Sequence, residues 1–355
     1  MIKTSEARKK IEQERREKLR KEKPYVYEKF LHYEGKRAKG ESTAMIDFCF
    51  DYKCNMKCKH CSNLSFTKKN RIMTINDLKD LSRQADELGL AQFVISGGEP
   101  LTFDNLDEII LALNPPKFNL AMSTNGLLLD KITAKHLKEM GVDKLKISLD
   151  SIDENVYEKT RGQKKGYHKA IEALFICKEA GMQAVVQAVM SHQTCRTDAT
   201  EKLAKFCQEN DFNLDIIAAR AIGKWEGKED VLLDEADSAY LIELKEKYPM
   251  VHRDVFPTYG ETCGACDAVK NLLHVTKYGD VLPCVFIHIA IGNIFEESLK
   301  DIINRGLSIK HFAESSPKCL SGEDREFIRK YMSKFYGKPL PIHWSEAFGK
   351  DDFVK

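Results

Sequence analysis

The sequence predicts an α/β protein: parallel strands alternating with helices, followed by a smaller α+β region that carries cysteines. Two observations predict it. Between Met45 and Ala219, six short apolar runs alternate with segments whose apolar residues recur at steps of three and four. Strands in that arrangement run parallel, because helices supply the crossovers that parallel neighbours need. The eleven cysteines are also grouped, with Cys54, Cys58 and Cys61 in one set and Cys263, Cys266, Cys284 and Cys319 in another.

Residues 5–22 read as a highly charged helix with few apolar anchors, either a solvated, frayed segment or a basic arm for an acidic partner. Met45–Phe50 is the first strand. Thr74 caps the next helix, with Asp77 in a capping-box position, and Ile75, Leu78, Leu81, Ala85 and Leu88 form one apolar face. Gly89 ends it. Ala91–Ser96, Phe118–Ser123, Lys144–Leu149, Gln183–Met190 and Leu214–Ala219 are the remaining strands. The helices between them fall at Leu106–Leu113, Lys131–Met140, Tyr167–Ala180 and Asp198–Glu209. Six units are too few for an eight-fold barrel.

The implied domains are a helical extension (1–43), the strand–helix body (44–225), a linking segment (226–262) with a helix at Glu235–Lys247, the second cysteine region (263–320) and a tail (321–355). In the second cysteine region, Leu273–Thr276 and Asp280–Leu282 read as a hairpin around Tyr278-Gly279, with a helix at Glu297–Arg305 beyond it. The tail holds a helix at Asp324–Phe335 and a packing pair, His343-Trp344.

Composition sets limits. Net charge is +2, yet residues 1–40 carry 14 Lys+Arg against 7 Asp+Glu, so the body is slightly acidic and offers no nucleic-acid footprint. There is no apolar run of membrane length and no secretory signal, which together imply a cytoplasmic protein. Disulfides are rare in that compartment, so grouped cysteines point to metal. Cys49, Cys177, Cys195 and Cys207 fall in the regular elements or loops and read as ordinary side chains.

The spacing C-x3-C-x2-C at Cys54, Cys58 and Cys61 offers three thiolates, which suit a cubane cluster with one iron left open. A zinc site completed by His60 or a distant cysteine is the alternative. The motif resembles that of the radical S-adenosylmethionine (SAM) superfamily. That resemblance implies an open (β/α)6 partial barrel and a [4Fe-4S] cluster whose free iron binds SAM. It also implies reductive cleavage to a 5′-deoxyadenosyl radical, and an electron donor such as flavodoxin or ferredoxin.

The motifs after the strands extend the resemblance. Gly97, Gly98 and Glu99 resemble the G-G-E-P segment that binds the methionine amino group. Ser123 and Asn125, and Ser148 and Asp150, resemble positions for the SAM ribose and carboxylate. Arg161, in an R-G pair, matches an arginine for that carboxylate. His60 stands where an aromatic residue faces the adenine, and Gln187 is a further SAM or substrate contact. Arg220, Gly223, Lys224 and Trp225 are the expected substrate contacts.

The second set resembles the opening of a SPASM domain, in its shortened twitch form, with Cys263, Cys266, Cys284 and Cys319 holding a second [4Fe-4S] cluster. Two alternatives stand beside it. In one Cys319 is free and an iron is open to substrate, as in the molybdenum-cofactor cyclases; in the other the same thiolates hold zinc. The overall cysteine pattern resembles radical SAM enzymes that oxidise or epimerise sugar-like molecules. A maturase acting on a ribosomal peptide and a non-catalytic iron–sulfur electron carrier are the other readings.

Overall fold

The computed structural model describes residues 6–63, 66–253, 266–314 and 316–354. Three helices, α1 (Glu6–Glu22), α2 (Pro24–Leu31) and α3 (Tyr33–Ala38), precede the first strand, β1 (Met45–Cys49). Alternating elements follow: α4 (Ile75–Glu87), β2 (Gln92–Ser96), α5 (Leu106–Ala112), β3 (Asn119–Thr124), α6 (Lys131–Glu139) and β4 (Lys144–Ser148). Then come α7 (Glu154–Arg161), α8 (Gly166–Glu179), β5 (Gln183–Met190), α9 (His192–Cys195), α10 (Asp198–Glu209) and β6 (Asn213–Ala218). Thr74 and Asp77 close the expected capping box on α4.

The six predicted strands are present in order and parallel. The sheet, however, does not stop at six. After α11 (Glu235–Lys247), β7 (Val251–Arg253) adds beside β6, so the segment read as a linker belongs to the sheet. At the other edge β8 (Leu272–Val275) pairs parallel with β1, placing Asp47 opposite His274. Strands β9 (Asp280–Leu282) and β11 (Gly292–Asn293) then extend it antiparallel, giving the order β11-β9-β8-β1-β2-β3-β4-β5-β6-β7. The predicted hairpin exists, but as part of the main sheet. A small separate pair joins β10 (Ile289–Ala290) to β12 (Ile342–His343). Helix α12 runs Leu299–Ser308, capped by Ser298, and the tail helix is broken into a short α turn, a π turn and a 3-10 turn over Arg325–Phe335.

The two faces of the sheet differ. Leu145, Ile147, Val186, Ala188, Leu214 and Ile216 are buried in the core on the side where α8 and α10 pack. The alternate residues, Lys144, Lys146, Ser148, Gln187 and Asp215, are only partly buried and share the other face. Lys146 reaches past β5 to Asp215, Nζ to Oδ2 3.4 Å, as side chains on a concave face can. The lumen is therefore polar.

Helices α2 and α3 are docked, whereas α1, read as solvated, keeps most of its described side chains exposed and reaches the body through Arg15, which donates to Asn213 at 2.6 Å, and Lys18. Lysines fasten them to the carbonyl ends of the barrel helices. Lys36 donates to the Leu88 carbonyl and Lys18 to that of Gly181, 3.2 Å. Lys23 meets the carbonyls of Phe118 (2.9 Å) and Gly141 (3.0 Å) and the Asp143 carboxylate. Lys29 is buried against the Leu90 and Lys117 carbonyls and Asp86. Each cation sits where a helix or strand end leaves carbonyls unpaired. Removing Lys23 would strand a largely buried carboxylate. Lys23→Ala is expected to cost roughly 3 kcal/mol, read as a lower midpoint in thermal unfolding.

Candidate active site

The loop carrying Cys54, Cys58 and Cys61 follows β1 and is clamped from several sides. The Gly98 N–H donates to the Asp51 carbonyl (2.9 Å) and the Glu99 N–H to that of Lys53 (2.8 Å). A Cβ at Gly98 would lie 1.9 Å from the Lys53 oxygen, and one at Gly97 would lie 2.5 Å from the Asp51 oxygen. The glycines thus serve the close approach of this loop, not only that of a ligand. Asn63 donates to the Gly97 carbonyl, and Asn125 Nδ2 to Asn55 Oδ1 at 2.7 Å.

Glu99 is buried, and its carboxylate accepts from Thr124 Oγ1 (2.6 Å), the Asn125 N–H (2.7 Å) and the Leu101 N–H (3.2 Å). Burial raises its carboxyl despite those donors. Thr124 was not singled out in the sequence; its signal was the T-N-G turn itself. Arg161, expected above to meet a ligand carboxylate, is already paired with one from the protein. Its fork is held by Asp150, Nε to Oδ2 at 2.7 Å and Nη2 to Oδ1 at 2.6 Å, and both residues are buried. Burial works to raise the Asp150 carboxyl, but Arg161 and His60 hold it below its ordinary value.

His60 packs against Trp225, ring centroids 5.6 Å apart, and its Nδ1 is buried without a protein partner. Burial and the Arg161 charge push its imidazole down to about 4. The Tyr157 hydroxyl is likewise buried and unpartnered, within the electrostatic reach of Arg161, Asp150, Cys58 and Glu99. Tyr157 lies four residues before Arg161, on the same face of α7, a spacing that could have found it. Ser123, Ser148 and Gln187 share the lumen face, with Ser148 directly opposite Gln187.

The segment after β6 was expected to meet substrate, but it grips the cysteine loops. Lys224 Nζ donates to the Cys58 carbonyl at 2.9 Å and its N–H to that of Cys61 at 3.3 Å. A Cβ at Gly223 would lie 2.3 Å from the Cys61 oxygen. Arg220 turns to the second set, where its Nη2 lies 3.0 Å from Cys319 Sγ.

In that second set Cys263 lies outside the described residues, while Cys266, Cys284 and Cys319 converge. Burial, then Cys319 and Cys284, push the Cys266 thiol well up, and burial sends Cys284 up to about 12. The Cys319 N–H donates to Glu323 (3.0 Å), which is fixed by Arg253 at 2.6 Å. In the first set, burial raises the Cys58 thiol, opposed by Arg161, with Cys61 adding to the rise.

Both sets offer thiols, soft donors that suit an iron–sulfur cluster. The orphaned His60 and Tyr157 atoms beside the first triad suit a polar ligand there.

Comparison with known proteins agrees. Residues 50–207 match the Radical SAM superfamily, and residues 266–321 match SPASM, an iron-sulfur cluster-binding domain. The chain is a radical SAM enzyme with a C-terminal SPASM-type domain. It is 26% identical over 329 residues to the GTP 3′,8-cyclase of Aliarcobacter butzleri (strain RM4018), covering 84% of this chain and 90% of that one. A probable GTP 3′,8-cyclase of Methanococcus aeolicus is 35% identical over 130 residues, 34% of this chain and 43% of that one. The crystal structure of Streptococcus suis SuiB bound to precursor peptide SuiA shares the fold at a TM-score of 0.57 and 19% identity, over 78% of this chain and 69% of that one. Radical SAM proteins use a [4Fe-4S] cluster with SAM, and SPASM domains bind auxiliary iron–sulfur clusters. No helix of the described residues is long and apolar enough to cross a membrane.

Proposed function

We propose that this radical SAM enzyme abstracts hydrogen from a small, polar, sugar-like molecule held in the lumen between two iron–sulfur sites, and oxidises or epimerises it. The observation that carries the reading is the lumen wall. Lys146 and Asp215, paired at 3.4 Å beside Ser148 and Gln187, offer both charge signs and neutral hydrogen-bonding groups, which suit a polyhydroxy ligand better than an apolar one. Burial works to raise the Asp215 carboxyl, but Lys146, His252 and Lys144 hold it low, so it is a standing acceptor.

Cys54, Cys58 and Cys61 would hold the SAM-binding cluster, and Cys263, Cys266, Cys284 and Cys319 the auxiliary one. When bound, SAM and its cluster supply the 5′-deoxyadenosyl radical. This chain's part is to frame them. Glu99, fixed by Thr124 and Asn125, would take the methionine ammonium, and Tyr157 and His60 would meet its polar end. The Asp150–Arg161 pair backs that wall, and Ser123, Ser148 and Gln187 would reach the ribose or the substrate. Lys53, Lys57 and Lys59 are exposed around the exposed Cys54, a basic rim that suits an acidic flavodoxin or ferredoxin.

A second reading, cyclisation of GTP, is favoured by the similarity that spans nearly all of the Aliarcobacter butzleri cyclase. One experiment separates the two. Reconstituted enzyme, SAM and reductant are incubated with GTP, nucleotide sugars or aminocyclitols, and 5′-deoxyadenosine is quantified with the product mass. The first reading expects stimulation by a sugar or cyclitol and a product lighter by two hydrogens or of equal mass. Turnover of GTP alone would replace it with the second. Lys146→Ala is expected to lower kcat/KM for the true substrate about tenfold or more, one charge-assisted hydrogen bond's worth, with SAM affinity unchanged.

A further inference from the structure

We propose that Arg220 positions Cys319 and sets the redox potential of the auxiliary iron–sulfur site, by donating a hydrogen bond from a buried cation directly to the cysteine sulfur. The inference deepens the reading above and rests on its assignment of Cys319 as a ligand. Arg220 leaves the barrel just after β6 and is almost fully buried, 4% exposed. Its Nη2 lies 3.0 Å from Cys319 Sγ, its Nε lies 3.4 Å from Ser321 Oγ, and its Nη1 donates to the Ala218 carbonyl. The guanidinium carbon stands 4.2 Å from the centroid of Phe286, whose own N–H points at Cys284 Sγ, 3.4 Å away. One planar group therefore touches Cys319 and stacks on the residue that touches Cys284.

A buried guanidinium is costly unless it meets negative charge. A protonated thiol offers little, whereas a thiolate ligand offers a full acceptor, so the contact is matched to Cys319 in its metal-bound form. Gly322 keeps the contact open: a Cβ there would lie 3.3 Å from Arg220 Nε and 3.6 Å from Cys319 Sγ. Hydrogen bonds to the sulfurs and local net charge are principal determinants of iron–sulfur potentials. A donated N–H and a positive charge both favour the more reduced state, so Arg220 biases the auxiliary site to accept an electron. Because the residue belongs to the barrel's exit segment, it also ties the ligand turn of the C-terminal region to the wall of the substrate lumen.

The test is an EPR-monitored redox titration of the full-length, anaerobically reconstituted protein, with iron content measured alongside. SAM is added to shift, and so identify, the signal of the SAM-binding cluster. Arg220→Gln is expected to move the auxiliary potential to a more negative value and leave the SAM-responsive signal in place. Arg220→Lys, which keeps the charge and loses the fork, should fall between Gln and wild type. If Arg220→Gln sheds only the auxiliary iron while Arg220→Lys keeps it, the positioning role is supported and the Lys variant reports the potential. Unchanged potential and unchanged iron in both variants would overturn the proposal. A Cys319→Ala protein with full iron and an unaltered auxiliary signal would instead overturn the ligand assignment beneath it.

Discussion

Cys58→Ala is expected to produce no 5′-deoxyadenosine above background when incubated with SAM and dithionite, while keeping its circular dichroism. On the proposed assignment three thiols hold the SAM-binding cluster with none spare, so the loss should exceed the roughly 10- to 100-fold cost of removing a partner around a metal ligand. The fold should survive because the loop is held by backbone contacts that the sulfur does not make. These are the Gly98 and Glu99 N–H bonds to Asp51 and Lys53, and the Lys224 bond to the Cys58 carbonyl, which alanine retains. Cys54→Ala and Cys61→Ala should behave alike. SAM cleavage within tenfold of wild type in any of the three would return this loop to a structural role.

Arg161→Ala is expected to destabilise the protein by roughly 3–5 kcal/mol, because it leaves the Asp150 carboxylate buried and unpaired. At a few degrees per kcal/mol, the thermal midpoint should fall by on the order of 10 °C. Asp150→Ala strands the guanidinium instead and should cost a similar amount. The double variant should cost less than the sum, since the two act as one unit. A midpoint unchanged within about 2 °C in Arg161→Ala would show the pair to be dispensable. The pH dependence has a fixed sign. Asp150 is held below its ordinary value, so its contribution is complete above the ordinary carboxylate range and is lost as pH falls through the lowered value. The gap between wild type and Asp150→Ala should therefore narrow only in acid. SAM affinity should weaken in both single variants, through displacement of the wall that carries Tyr157.

The strands and their order were legible because an apolar run between amphipathic helices leaves little choice of layer. What lay outside the alternation was not. The three residues of β7 sit in a charged stretch, and nothing in Leu272–Val275 declares that its partner is β1 rather than its own hairpin neighbour alone. Helix α7 was missed because its buried side, Tyr157 and Arg161, is polar at its tips. Lys18, Lys23, Lys29 and Lys36 look like solvent residues in sequence, since only the fold reveals the carbonyls they reach. At the site, the residue types with one dominant chemistry drew attention in the sequence: the cysteines, Glu99, Asp150 and Arg161. Their partners were harder to foresee. Arginine suits sulfur, carboxylate and phosphate alike, so Arg220 and Arg161 could be placed near the chemistry but not matched to Cys319 and Asp150.

The pairing of β8 with β1 bears on how the chain is made. Asp47 and His274 meet at 2.7 Å across a separation of 227 residues. At ribosomal rates of about 5–20 residues per second, the first strand waits roughly 10–45 s for its neighbour to be synthesised. Throughout that interval one edge of β1, the strand that leads into the cysteine loop, is an uncovered template for pairing with other chains. Nascent protein is thus most exposed to mispairing while its cysteine loop already exists and β8 does not. That edge is covered only after residues 272–275 have left the ribosome.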